Sequence, residues 1–175
     1  AGPISGLGGI VLDDAGAGNT LILSGTNTYS GNTDVISGTL AVTNVAGSGT
    51  GSGDVTVASG SSLIGTGTIN GTVTAEDGSF VAPGLDNIED IGTGDLLLES
   101  GSTYEVDLGA VPSSDQIMVT GSVTISNADL DLIVTPGFVT PATAGDTFTL
   151  IDNDGADAVT GIFNGLAEGN IVSLN

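Results

Sequence analysis

Among its 175 residues the chain has no lysine, arginine, histidine, cysteine or tryptophan. Without a single basic side chain, the 21 aspartates and glutamates stand unopposed, giving a formal charge of −21. No side-chain salt bridge can form. Nucleic acid is excluded as a partner, because nothing neutralises phosphates. Anionic lipid surfaces are excluded on the same ground. The missing histidine and cysteine rule out Ser-His-Asp and Cys-His nucleophile chemistry. They also rule out disulfides and cysteine metal sites. Aromatics make up only 3%, two Tyr and four Phe, too few to suggest stacking platforms for sugars. No apolar run approaches the roughly 18 residues of a membrane-spanning helix. The absence of Lys and Arg leaves no trypsin-type cleavage point and no Lys–Asn isopeptide crosslink. The chain opens at Ala1 without a signal-like segment, and we expect a mature or excised piece of a longer secreted product.

Glycine is abundant instead, with 30 residues, and it recurs in a pattern. VISGTLAV at 35–42, VASGSSLI at 57–64, TAEDGSFV at 74–81 and LESGSTYE at 98–105 share one shape. A short apolar or Thr-rich run meets a small polar residue and Gly, and a second run follows. Taking Gly38, Gly60, Gly78, Gly101 and Gly121 as markers gives intervals of 22, 18, 23 and 20 residues. A third short strand fits between markers, as in GTGTIN at 65–70. Helices are excluded because glycine interrupts every 3.6-residue pattern. Alternation has period two: Tyr104, Val106 and Leu108 share one face, Glu105 and Asp107 the other. Leu130, Leu132 and Val134 likewise oppose Asp129 and Asp131.

Short strands with tight corners at this spacing predict an all-β, parallel β-helix (β-solenoid) of about 18–23 residues per rung. One domain over 1–175 is expected, with regular rungs over about 10–82 and longer strands and loops over about 95–175. The longer strands also allow a sandwich-like C-terminal part. Segments 83–94, 109–116 and 136–146 read as loops and hold every proline except Pro3. Proline cannot donate to a strand ladder, so it is expected off the stack.

The segment LILSGTNTYSGNTDVISGTLAV at 21–42 resembles the autotransporter passenger-associated strand repeat of bacterial surface proteins. Gly25, Asn27, Tyr29, Gly31, Thr33, Gly38 and Leu40 occupy the places of its G-x-N-x-Y-x-G-x-T and x-x-G-x-L pattern. Residues 51–84 resemble the usual continuation, and 146–170 the end of repeat units in large surface proteins. The resemblance implies a right-handed parallel β-helix, export to the cell surface or beyond, and structural or adhesive work. It brings no catalytic residues. The absence of Lys and Arg departs from the family, and no β-barrel translocator is visible.

Calcium is the cofactor such an acidic chain would take, because hard oxygen ligands suit Ca²⁺. Asp152, Asp154 and Asp157, bent by Gly155, form the sharpest candidate. The order of an EF-hand loop is absent, since Ala156 and Phe163 stand where ligands belong. The plainer reading is a loop whose side chains cap their own backbone. Asp86, Glu89 and Asp90 make a second cluster; Asp13-Asp14 reads as a turn. GTGTING at 65–71 lacks the lysine of a phosphate loop. Asn70-Gly71-Thr72 matches a glycosylation acceptor, a triplet common by chance. Tyr29 reads as a rung-packing residue.

The expected function is a structural subunit of an extracellular bacterial fibre or surface layer. Subunits would assemble head-to-tail through open β-helix ends or by strand exchange, because unpaired strand edges recruit other chains. Gly9–Leu12 and Asn170–Leu174 would begin and finish the stack, and no cap helix is legible at either end. The alternative is an adhesin or passenger stalk module that presents its loops to a surface ligand. Enzymatic activity is not expected. A glycosidase pair of carboxylates would have no basic residue to hold an acidic glycan.

Overall fold

The computed structural model describes residues 2–14, 18–85, 87–135, 145–155, 157–167, 169–170 and 172. They form strands, turns and loops without a helix. The eighteen strands, β1 to β18 in chain order, stack in parallel on three faces of a β-solenoid.

Face one is a seven-stranded sheet. Its order is β2 (Ile10–Asp13), β5 (Thr33–Ser37), β7 (Val55–Val57), β9 (Val73–Ala75), β12 (Leu96–Leu98), β15 (Val123–Ser126) and β18 (Val159–Ile162). Face two has six strands: β3 (Thr20–Leu23), β6 (Thr39–Val42), β8 (Ser62–Gly65), β10 (Phe80–Pro83), β13 (Thr103–Leu108) and β16 (Asp129–Val134). Face three begins with β1 (Ser5–Gly6) on β4 (Thr28–Tyr29) and ends with β11 (Asp90–Thr93), β14 (Gln116–Val119) and β17 (Ile151–Asn153). Between them run segments 48–52 and 67–70, joined by bonds such as Gly49 N–H to Thr68 O and Ile69 N–H to Gly92 O, both 2.8 Å. The strand expected in GTGTIN therefore lies, beyond Gly65 of β8, on face three, bonded to Gly49 on one side and bridged from Thr68 to Gly92 on the other.

Strand partners on face one give the rung lengths. Thr33 pairs Val55, Val55 pairs Val73 and Val73 pairs Leu96, steps of 22, 18 and 23 residues. Leu96 to Val123 and Val123 to Val159 are longer, 27 and 36, because more residues separate β13 from β14 and β16 from β17. The expected 18–23 therefore holds for the early rungs only. The long strands after residue 95 join the same parallel sheets and build no separate sandwich.

Alternate residues point inward and form columns. Leu40, Leu63, Val81 and Tyr104 lie in register on face two, each at most 1% exposed. Val35, Val57, Ala75 and Leu98 do the same on face one. Burying each large aliphatic side chain contributes about 1.5–3 kcal/mol. The column is continuous along the axis, so stability is summed rung by rung.

The Ser-Gly and Asp-Gly motifs are the corners between faces one and two. Ser61 N–H donates to Ala58 O, Ser79 to Glu76 and Ser102 to Glu99, each 3.0–3.1 Å. Gly60, Gly78 and Gly101, third in these turns, have φ of 77°, 75° and 82°. A positive φ at that place alone is the type II turn, which favours glycine. Gly121 is not the fifth corner. That place belongs to Asn127 (φ 58°) between β15 and β16. Asparagine tolerates the left-handed conformation better than most residues.

Gly121 belongs to a different column. Gly31, Gly53, Gly71, Gly94 and Gly121 line the corner between faces three and one. There rungs approach so closely that a Cβ on Gly53 would lie 2.2 Å from Gly31 O. The next residue carries a ladder of side-chain acceptors. Asn32 Oδ1 accepts Asp54 N–H (3.2 Å), Asp54 Oδ1 accepts Thr72 N–H (2.9 Å), and Asp95 Oδ1 accepts Ser122 N–H (2.7 Å).

Two polar residues of the family-like motif do structural work. Asn27 is buried; its Oδ1 accepts Ile4 N–H (2.8 Å) and its Nδ2 donates to Gly49 O (2.6 Å), tying three rungs together. Tyr29 is buried, its hydroxyl 2.6 Å from Thr33 Oγ1. The loop expected over 83–94 is shorter than read: Pro83 lies in β10, paired with Gly65, and Asp90–Thr93 form β11. β13 pairs β10 only at Phe80 and Val81, so at Pro83 the strand is a local edge, where proline is tolerated.

Candidate functional site: the open ends and an acidic cleft

Each face must stop somewhere, and the outermost strands are β1, β2 and β3 at one end and β16, β17 and β18 at the other. Among the described residues no strand pairs with their outer edges. Their N–H and C=O groups are a template for another chain. Most residues that point inward on these strands are only partly covered, Leu23 on β3 being buried. Ile10, Leu12 and Leu21 at the first end, and Leu130, Leu132 and Ile151 at the last, pack on the core while keeping part of their surface in water. β18 is exposed at all four positions. Phe163 closes some of the last end by stacking on buried Tyr104, ring centroids 6.2 Å apart. Asn164 N–H donates to Ala128 O, 2.8 Å, before the chain turns away at Gly165 (φ 69°). The expected start at Gly9–Leu12 contains the first strand of face one, but the stack begins earlier, with β1 on face three, and most of the expected finish, residues 171 and 173–174, lies outside the described residues.

The second feature is a cleft of about 150 Å³ on the outer side of face two. Ile64, Ala82, Asn87, Glu105, Asp107 and Asp115 contribute to its lining. Two loops flank it, the one from β10 to β11 and the one from β13 to β14. Asp115 ties them together although it is only 3% exposed. Its Oδ1 accepts Glu89 N–H (2.8 Å) and its Oδ2 accepts Asp107 N–H (3.2 Å). Burial pushes its carboxyl up to about 6; these two N–H donors oppose the shift, while Asp107 and Asp90 add to it. Glu105 is raised as well, by burial first and then by Asp131 and Asp107. Sequence reading missed Asp115, because it falls in segment 109–116, read as a loop, and nothing there marks one acid as buried.

The acidic clusters singled out by sequence sit differently. Asp152 points outward from β17 beside Met118. It helps to raise the carboxyl of Asp90, whose main perturbation is burial. Asp154 N–H bonds Val119 O at 3.1 Å, and Asn153 Nδ2 donates to Asp157 O at 2.8 Å, across a bend at Gly155 (φ 84°). The loop thus binds its own backbone. In the second cluster, Asp86 lies outside the described residues. Glu89 Oε2 accepts Leu85 N–H at 3.1 Å, and Asp90 opens β11. Among the described residues no three acids converge into a metal-binding group. Asp14 follows β2 and accepts bonds from Asn19 at both carboxylate oxygens.

Compared with known proteins, the chain matches no family model and no curated protein.

Proposed function

We propose that the chain is a structural subunit of an extracellular fibre or surface layer, joined end to end through its strand edges. The carrying observation is that, among the described residues, no strand pairs with the outer edge of the last strand of any face at either end, and most inward residues there stay partly exposed. A contact between two different ends is heterologous, and where its rotation does not close it generates a filament. The uniform negative charge fits a surface material that must not bind nucleic acid or anionic lipid. It also opposes assembly, since like charges repel until salt screens them. Divalent cations such as Ca²⁺ would bridge the exposed acids without a dedicated cage.

Electron microscopy and light scattering of the purified chain test this reading. Filaments are expected in high salt or with millimolar Ca²⁺, and dispersal in low salt with EDTA. A strict monomer at high concentration in every condition would sink it. Filaments indifferent to EDTA and salt would remove the cation from the account.

The second reading, an adhesin or stalk module within a longer exported protein, is favoured by the cleft. Two loops frame a polar hollow on an otherwise regular surface, and loops on a rigid scaffold are where binding residues concentrate.

A further inference from the structure

The end-to-end reading leaves open which edge meets which, and the stacking order of the faces restricts the choice. We infer that a second copy of this chain docks with β18 against β2 and β17 against β1. The inference rests on the proposed assembly and specifies its register. Each pair comprises the last and first strands of one face. Face two has one strand fewer than face one, and Asn164 lies on the edge of β16 where a seventh would run, its N–H bonded to Ala128 O and its Nδ2 to Asp129 Oδ1, so β16 does not meet β3 directly.

The internal ladders fix how the strands align. On face one Val11, Asp34, Thr56, Thr74, Leu97, Thr124 and Thr160 form one outward column. Extending it across the junction sets Thr160 of one copy beside Val11 of the next, and Val159 beside Ile10. On face two the column of Thr20, Thr39, Ser62, Phe80, Thr103 and Asp129 already ends on Asn164, which takes the place beside Asp129. On face one Val159 on Ile10 keeps inward apolar residues together, which a slip of one residue would reverse.

Charge agrees with this register. The acids on the facing strands are Asp13 on β2 and Asp152 on β17. Asp13 falls beside Ile162 on face one, and Asp152 lies on face three against β1, which carries no acid. No acid on these strands opposes another, so the junction avoids the cost of directly opposed like charges.

Cysteine crosslinking reads the register, and the parent chain contributes no thiol of its own. Val11 and Thr160 are both exposed, so cysteine there leaves the core intact. Strands about 4.8 Å apart fall within the Cα separation of about 4.4–6.8 Å that a disulfide spans. Under assembly conditions, Val11→Cys/Thr160→Cys oxidised in air should give a ladder of linked multimers. Ile22→Cys/Thr160→Cys, which sets face two against face one, should stay monomeric on a denaturing gel. Equal ladders from both pairs, or a dimer from Thr160→Cys alone, would overturn the register. Filaments without a Val11→Cys/Thr160→Cys ladder would overturn it while leaving the subunit reading intact. Absence of both filaments and ladder would overturn the two together.

Discussion

Glycine serves this fold in two ways, and one substitution at each kind of site separates them. Gly60 needs its φ of 77°, yet a Cβ there would meet nothing within 4 Å. Gly60→Ala should therefore cost only the left-handed penalty, about 1–2 kcal/mol, and Gly60→Asn less, since Asn127 already fills the matching corner. Gly53 has no such φ, but its Cβ would strike the backbone carbonyl of Gly31. The backbone cannot move aside without parting two rungs, so Gly53→Ala should cost more than about 2 kcal/mol. Urea unfolding of the three variants measures the difference, and equal losses for both alanines would refute the distinction. The spacing of the glycines was legible in the sequence; their kind was not. Gly121 looked like a corner because its interval suited the series. A φ-driven glycine and a proximity-driven glycine are the same letter.

At the scale of elements, the strands were legible and the clasp on the loops was not. Period-two alternation placed Tyr104, Val106 and Leu108 correctly because one face of β13 is buried and the other is not. Asp115 has no such periodicity to betray it, since its partners are backbone N–H groups on segments distant in sequence. Its carboxyl titrates at about 6 in the folded chain against an ordinary 3.8. Folding therefore takes up a proton between those values. The stability this group contributes is complete below about pH 4 and is lost as the pH rises through 6. Asp115→Asn removes that titration and keeps only one accepting oxygen. The variant should be less stable than the parent at pH 4, and the gap should narrow towards pH 7. Thermal unfolding across that range checks it; a gap that widens with pH would contradict the assignment.

For the whole molecule, repulsion among acids with no basic counterpart governs the response to pH and salt. Asp90, Glu105 and Asp115 all hold their protons more tightly through burial. Each favours the folded state as the pH falls through its range. Asp95 acts in the opposite sense. The backbone N–H of Ser122, with its hydroxyl, holds the carboxyl below its ordinary value. Its contribution is present above that value and fades in stronger acid. The unfolding temperature should therefore rise from pH 7.5 to about pH 5 and fall again below about pH 4. Added salt should raise it most at pH 7.5, where the net charge is largest. A midpoint that drops steadily from neutral pH to pH 5 would show that burial of these acids does not set the balance.

The sequence by itself determined the fold class, the parallel stacking and the exclusion of basic, thiol and imidazole chemistry. Those properties follow from local rules, namely period-two burial, turn residues at near-constant spacing and composition. Tertiary structure alone decided which glycines touch a neighbouring rung, that Asn127 makes the last corner, and that Asp115 is buried. It also decided which strands end each face. All of these depend on residues 18 to 36 positions apart lying one strand spacing from each other. That separation is set by the length of each loop, and no local pattern records it.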